Sequence, residues 1–162
     1  MAKAFRRGRK QTKIMFNNNI NNLDVDYVKN IKPINNEYKN ILNPYDLYEA
    51  LIHIYSKETC APRMRGKWSI DNPTVGQCSI TSFLAQDIFG GEVYGVKLSD
   101  GNYHCFNVID GYMFDLTSEQ FGYKKLDYTL DYKQDRNIHF LKKEKEDRYH
   151  LLSNKLKKYL NK

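Results

Sequence analysis

The apolar positions of this chain change period several times, and those changes mark its elements. Leu47, Ala50, Leu51 and Ile54 recur at helical spacing behind Asn43-Pro44, a good N-cap followed by a residue suited to a first helical position. A helix is expected over residues 44–57. Ile80, Phe83, Leu84 and Ile88 repeat the pattern over residues 78–89, and Gly90-Gly91 ends it. Between these helices, residues 59–75 hold Pro62, Gly66, Pro73 and the only tryptophan, Trp68, which predicts a long loop of the kind that often carries function. The period then shortens to two. Strands are expected over residues 93–98, 103–109 and 112–116, with a turn at Ser99-Asp100-Gly101-Asn102 and a two-residue hairpin at Asp110-Gly111. Thr117-Ser118-Glu119-Gln120 reads as a cap and a short helical turn. Residues 124–140 alternate Tyr and Leu among charges and suggest a further strand. Tyr149, Leu152, Leu156 and Tyr159 stripe a last helix over residues 144–160.

Upstream of residue 43 the pattern weakens. Residues 1–13 read as a disordered arm, Asn17-Asn18-Asn19-Ile20-Asn21-Asn22 is polar and low in complexity, and residues 23–42, interrupted by Pro33, read as irregular or weakly helical. The organisation expected is an irregular, basic, Asn-rich arm over 1–42 and an α+β domain over 43–162, in which a cysteine-bearing helix packs on a small antiparallel sheet.

With 162 residues the chain is long enough for one domain with a real core. Its 13 tyrosines supply apolar area with a polar tip and should sit half-buried. No run approaches the roughly 18 apolar residues of a membrane span. Only Ile14, Met15 and Phe16 follow the basic N-terminus, too little for a signal-peptide core, so a cytoplasmic location and no membrane partner are expected. The net charge of +7 is unevenly spread. Lys3, Arg6, Arg7, Arg9, Lys10 and Lys13 face no acid in the first 13 residues, and residues 142–162 are also basic, leaving a mildly acidic body. Arg6, Arg7, Arg9 and Lys10 suit contact with nucleic acid or an acidic protein partner; the plainer reading is a solvated tail.

The chemistry centres on Gly76-Gln77-Cys78, His104 and Asp115. A lone cysteine at a helix start is usually a small core residue, and a lone histidine on a strand is usually structural. Here they occur in the order and on the elements that a thiol nucleophile needs. Free N–H groups and the dipole at a helix start favour a thiolate, an imidazole takes the proton, and a carboxylate orients the imidazole. The hairpin can be counted. With Asp110 and Gly111 as the turn, Phe106 faces Asp115 and His104 faces Thr117, so His104, Phe106, Val108, Met113, Asp115 and Thr117 share one face. His104 and Asp115 are then diagonal neighbours within hydrogen-bonding reach. Asn107, the other candidate orienter, points to the opposite face. The Cys78 N–H is a natural oxyanion donor, and Gln77 and Trp68 are the side chains considered for a second. Cys60 and Cys105 read as structural, and His53, His139 and His150 as solvated or packing residues. The three cysteines lack CxxC spacing, and His104 and Cys105 lie on opposite strand faces, which argues against a metal site. No cofactor is expected.

Trp68, Asn72-Pro73-Thr74, Gly76-Gln77-Cys78, Gly90-Gly91, His104-x-x-Asn107, Asp115-Leu116-Thr117-x-x-Gln120-Phe121 and Arg148-Tyr149 together resemble the YunG-like family of uncharacterised bacterial proteins, over roughly residues 44–160. The Cys, His, Asp order also resembles the papain-like and transglutaminase-like fold. That second resemblance implies a cysteine hydrolase or acyl transferase acting on an amide, peptide or isopeptide bond through Cys78, His104 and Asp115. The chain departs from papain in having Gln immediately before the Cys and no Trp after it. The rival reading is a catalytically silent papain-like binding module that engages nucleic acid or a protein through its basic ends, as an inhibitor from a phage or other mobile element would. A third is an interaction protein whose helices pack on a partner subunit.

Overall fold

The structure, a computed structural model, describes residues 15–17, 25–122 and 124–162. The basic arm with Arg6, Arg7, Arg9 and Lys10, and most of the Asn-rich stretch, lie outside the described residues.

Three consecutive strands, β2 (Glu92–Lys97), β3 (Tyr103–Ile109) and β4 (Tyr112–Asp115), run antiparallel, and a short strand β1 (Met15–Asn17) pairs with β4 at the edge, giving the order β1-β4-β3-β2. The hairpin turns where its sequence demands. Asp110 (φ 53°) and Gly111 (φ 81°) are both left-handed, as a two-residue type I′ turn requires. The pairs Asn107↔Phe114, Val108↔Met113 and Ile109↔Tyr112 put the strands in the register counted from that turn.

Among the described residues five α-helices accompany the sheet: α1 (Val25–Asn30), α2 (Pro44–Ile54), α3 (Cys78–Phe89), α4 (Arg136–His139) and α5 (Lys143–Leu160). Asn43 caps α2 by accepting the Asp46 N–H at 2.8 Å. Helix α3 lies on β3, and α2 and α5 pack beside it. Leu47, Leu51, Ile80, Phe83, Leu84, Leu152 and Leu156 are fully buried where these elements meet. Each such side chain is worth about 1.5–3 kcal/mol relative to exposure. A smaller cluster of Val96, Phe106, Val108, Met113 and Tyr128 covers the other side of the sheet. No helix among the described residues is long and apolar enough to cross a membrane.

Three segments differ from the pattern-based expectation. Helix α2 stops at Ile54 because Tyr55 turns out of helical geometry (φ −56°, ψ 142°) and its hydroxyl meets Thr81 Oγ1 at 2.7 Å. Within the stretch read as irregular or weakly helical, which holds the short helix α1, Val28, Ile31, Tyr38 and Ile41 join the main core, and the Tyr38 hydroxyl bonds Ser153 Oγ at 2.6 Å. Residues 124–140 do not form the expected strand. Of their alternating Tyr and Leu residues Tyr128 is buried, while Leu130 and Tyr132 stay exposed. Backbone bonds from Gly95 N to Tyr132 O and from Gln134 N to Val93 O, both 2.8 Å, tie the segment to the edge of β2.

Candidate active site

Cys78 is the first residue of α3. The chain reaches it through Gly76, whose left-handed backbone (φ 70°) brings the preceding loop against residues 60–64. A Cβ at Gly76 would lie 2.5 Å from Cys60 Sγ and 3.0 Å from Ala61 N, and the Gly76 carbonyl accepts the Ala61 N–H at 2.9 Å. Gly76→Ala therefore adds a clash to a left-handed conformation. We expect it to destabilise the fold by about 1–3 kcal/mol and to slow alkylation of Cys78. An unchanged melting temperature would show that the loop does not need glycine.

His104 sits on β3 and Asp115 at the end of β4, both 1% exposed. His104 Nε2 bonds Asp115 Oδ2 at 2.5 Å. The carboxylate is held further by Thr117, through its N–H at 3.0 Å and its hydroxyl at 3.3 Å to Oδ1, and by the Tyr128 hydroxyl at 2.7 Å to Oδ2. Phe121 packs edge-on against the imidazole, ring centroids 4.7 Å apart. With Nε2 committed, the ring nitrogen left for Cys78 is Nδ1, which is buried and makes no closed hydrogen bond among the described residues. The thiol and imidazole act on each other electrostatically.

The electrostatics divide the three cysteines. The neighbouring Cys105 is the largest influence holding Cys78 well below the usual thiol range; burial opposes it and His104 reinforces it. Cys105 is correspondingly pushed well above that range by Cys78 and by burial. Burial also raises Cys60. Burial works against charge on His104, but the adjacent Asp115 carboxylate, with Cys78, outweighs it and holds the imidazole up to about 10. The favoured state is a thiolate beside an imidazolium.

Cys78 and His104 open on a cleft of about 640 Å³ walled by residues 61–67, the 98–103 turn, Gln120-Phe121 and the start of α5. The three side chains considered for oxyanion or substrate contact lie elsewhere. Gln77 is fully buried with Nε2 donating to Ser56 O at 3.2 Å, Trp68 Nε1 donates to Pro73 O at 2.9 Å, and Asn107 Nδ2 donates to Ser82 O at 2.9 Å on the helix side of the sheet. Each satisfies a carbonyl of the scaffold around α3. Gln120 is an amide that does line the cleft; its Nε2 donates one hydrogen to Thr117 O at 3.0 Å and has a second to offer. His139, read from sequence as a packing or solvated residue, also lines it. Among the described residues no group of three or more His, Cys, Asp or Glu side chains is placed to hold a metal ion.

A family model described as "YunG protein" matches residues 43–161, which include every residue of this site. A stretch of 65 residues is 37% identical to "Uncharacterized protein YunG" of Bacillus subtilis (strain 168), covering 40% of this chain and 56% of that relative. The aligned part thus spans little more than half of that relative's length. No solved structure matches.

Proposed function

The chain belongs to the YunG family, and from its site we propose that it is a papain-like cysteine hydrolase or acyl transferase acting on an amide, peptide or isopeptide bond. One observation carries the reading: a cysteine at a helix start beside a buried histidine whose far nitrogen is clamped by a carboxylate 2.5 Å away. The Cys78 thiolate attacks the carbonyl carbon. The oxyanion that forms is met by donors in the cleft, the Cys78 N–H at the open start of α3 and the second Nε2 hydrogen of Gln120. His104 gives its proton to the departing amine, leaving a thioester on Cys78. Water or an acceptor amine then attacks with His104 as base, and the thiolate leaves. Asp115 keeps Nε2 occupied so that Nδ1 remains the working nitrogen.

The test is mass spectrometry of the intact protein after incubation with small acyl thioesters and activated amides. A covalent acyl adduct on Cys78, absent in Cys78→Ala, supports the reading. No adduct with any acyl donor would leave the binding-module reading in its place.

The pH profile follows from the two shifts. Acylation needs thiolate and imidazolium together. Its acid limb should therefore lie well below the ordinary thiol range, and its alkaline limb should fall near pH 10 as His104 loses its proton. Single-turnover acylation across pH checks this; an acid limb near pH 9 would mean that the ion pair does not form.

A further inference from the structure

Lys145 stands in the first turn of α5, the end of a helix where the dipole disfavours a cation. It is nonetheless half-buried in the wall of the cleft that holds Cys78 and His104. Its Nζ donates to His139 Nδ1 at 2.9 Å, and His139 Nε2 in turn meets Gln134 Oε1 at 2.8 Å. Phe83 fixes the His139 ring edge-on at 5.0 Å. Burial and the neighbouring cation keep His139 down at about 4, so it is a neutral acceptor for the ammonium. The chain Gln134–His139–Lys145 aims a cation into the cleft.

That cation has no carboxylate counter-ion there; the negative charge it senses is that of the Cys105–Cys78 thiol pair. The cleft wall contains two carboxylates, and both face arginines: Asp100 lies 4.0 Å from Arg63, and Glu144 is bonded to Arg148 at 2.7 Å. Among the described residues no carboxylate lies within ion-pairing distance of Lys145, and the cleft also presents Lys67 and Lys142. Acylation of Cys78 removes the thiolate charge, which leaves the half-buried cation in need of another anion.

Resting on the thiol reading above, we propose that the cleft takes acyl substrates bearing a carboxylate close to the scissile carbonyl, a Glu- or Asp-like acyl group, with Lys145 as its anchor. Iodoacetate and iodoacetamide test this because both alkylate Cys78 and differ in one carboxylate. Rates at Cys78 are read by mass spectrometry for the full chain and for Lys145→Met and Lys145→Arg. Any change in thiolate population alters both reagents alike, so the ratio isolates anion recognition. The iodoacetate-to-iodoacetamide ratio should exceed that of free cysteine. It should drop about tenfold in Lys145→Met, the loss of one charge-assisted contact, and be largely kept in Lys145→Arg. Glutarate should protect Cys78 from iodoacetamide better than inorganic phosphate does. A wild-type ratio no higher than that of free cysteine, a ratio unmoved in Lys145→Met, or stronger protection by phosphate overturns the proposal while leaving the thiol reading intact. Failure of iodoacetamide itself to label Cys78 brings down both.

Discussion

Iodoacetamide at pH 7 should alkylate Cys78 about 100-fold faster than Cys60 or Cys105, the factor expected when a thiol of ordinary pKa becomes largely thiolate at neutral pH. The thiolate is the reacting species, and three features favour it at Cys78 alone. The neighbouring Cys105 favours charge on its sulfur, an imidazolium stands beside it, and the sulfur sits at the N-terminus of a twelve-residue helix. Cys60 and Cys105 have no exposed area, and burial pushes both away from ionisation. Cys105→Ala separates the contributions. It removes that neighbour of the Cys78 sulfur while leaving His104 on Asp115, so labelling should slow while the preference over Cys60 persists. His104→Ala should slow it further. Equal labelling of all three cysteines in the folded protein would remove the ground for assigning any chemistry to Cys78.

The parts of this site that lie on regular elements were readable in the chain. Ile80, Phe83, Leu84 and Ile88 fix the phase of the helix that Cys78 starts, and Gly90 its end; the observed helix has the expected bounds. Counting outward from Asp110-Gly111 brings His104 and Asp115 together, since a two-residue turn leaves the strands no freedom of register. What escaped lies on irregular backbone. Tyr128 binds Asp115 from a segment whose alternation suggested a strand, and no local periodicity signals which tyrosine of thirteen will turn inward. Thr117 binds Asp115 through its own backbone N–H in a turn two residues on, a contact that the strand pattern does not describe. Gln77 and Trp68 are the side chains considered for a second oxyanion donor, yet both satisfy carbonyls of the chain leading to Cys78, those of Ser56 and Pro73. Lys145 reaches the cleft because α5 folds back beside α3, and His139 because its ring packs on Phe83 of α3, tertiary events without a sequence signature.

The largest loss of stability and reactivity together is expected from Asp115→Ala. Its carboxylate is the common acceptor for His104 Nε2, the Tyr128 hydroxyl, the Thr117 N–H and the Thr117 hydroxyl, and these residues are all within 3% of complete burial. Removing one acceptor strands several donors where water does not reach. The cost should be about 3–5 kcal/mol, read as a fall in the denaturant midpoint. Acylation by the probes should drop about 10²–10⁴-fold, because His104 loses both its orientation and the partner that keeps it charged. Two milder variants divide structure from chemistry. Tyr128→Phe removes one bond to Asp115 and should cost about 1 kcal/mol while Cys78 stays reactive. Asp115→Asn keeps the volume and one acceptor oxygen but not the charge, so it should lose reactivity out of proportion to its stability. The sign of the pH dependence gives a further check. His104 is raised from 6.5 to about 10 in the folded protein, so the pair with Asp115 stabilises fully below about pH 6.5, and that stabilisation is lost as pH rises through about 10. The stability gap between wild type and Asp115→Asn should therefore be widest near neutral and acidic pH and close at pH 10 and above. If Asp115→Asn alkylates at the wild-type rate, Asp115 is a structural residue and His104 acts without it.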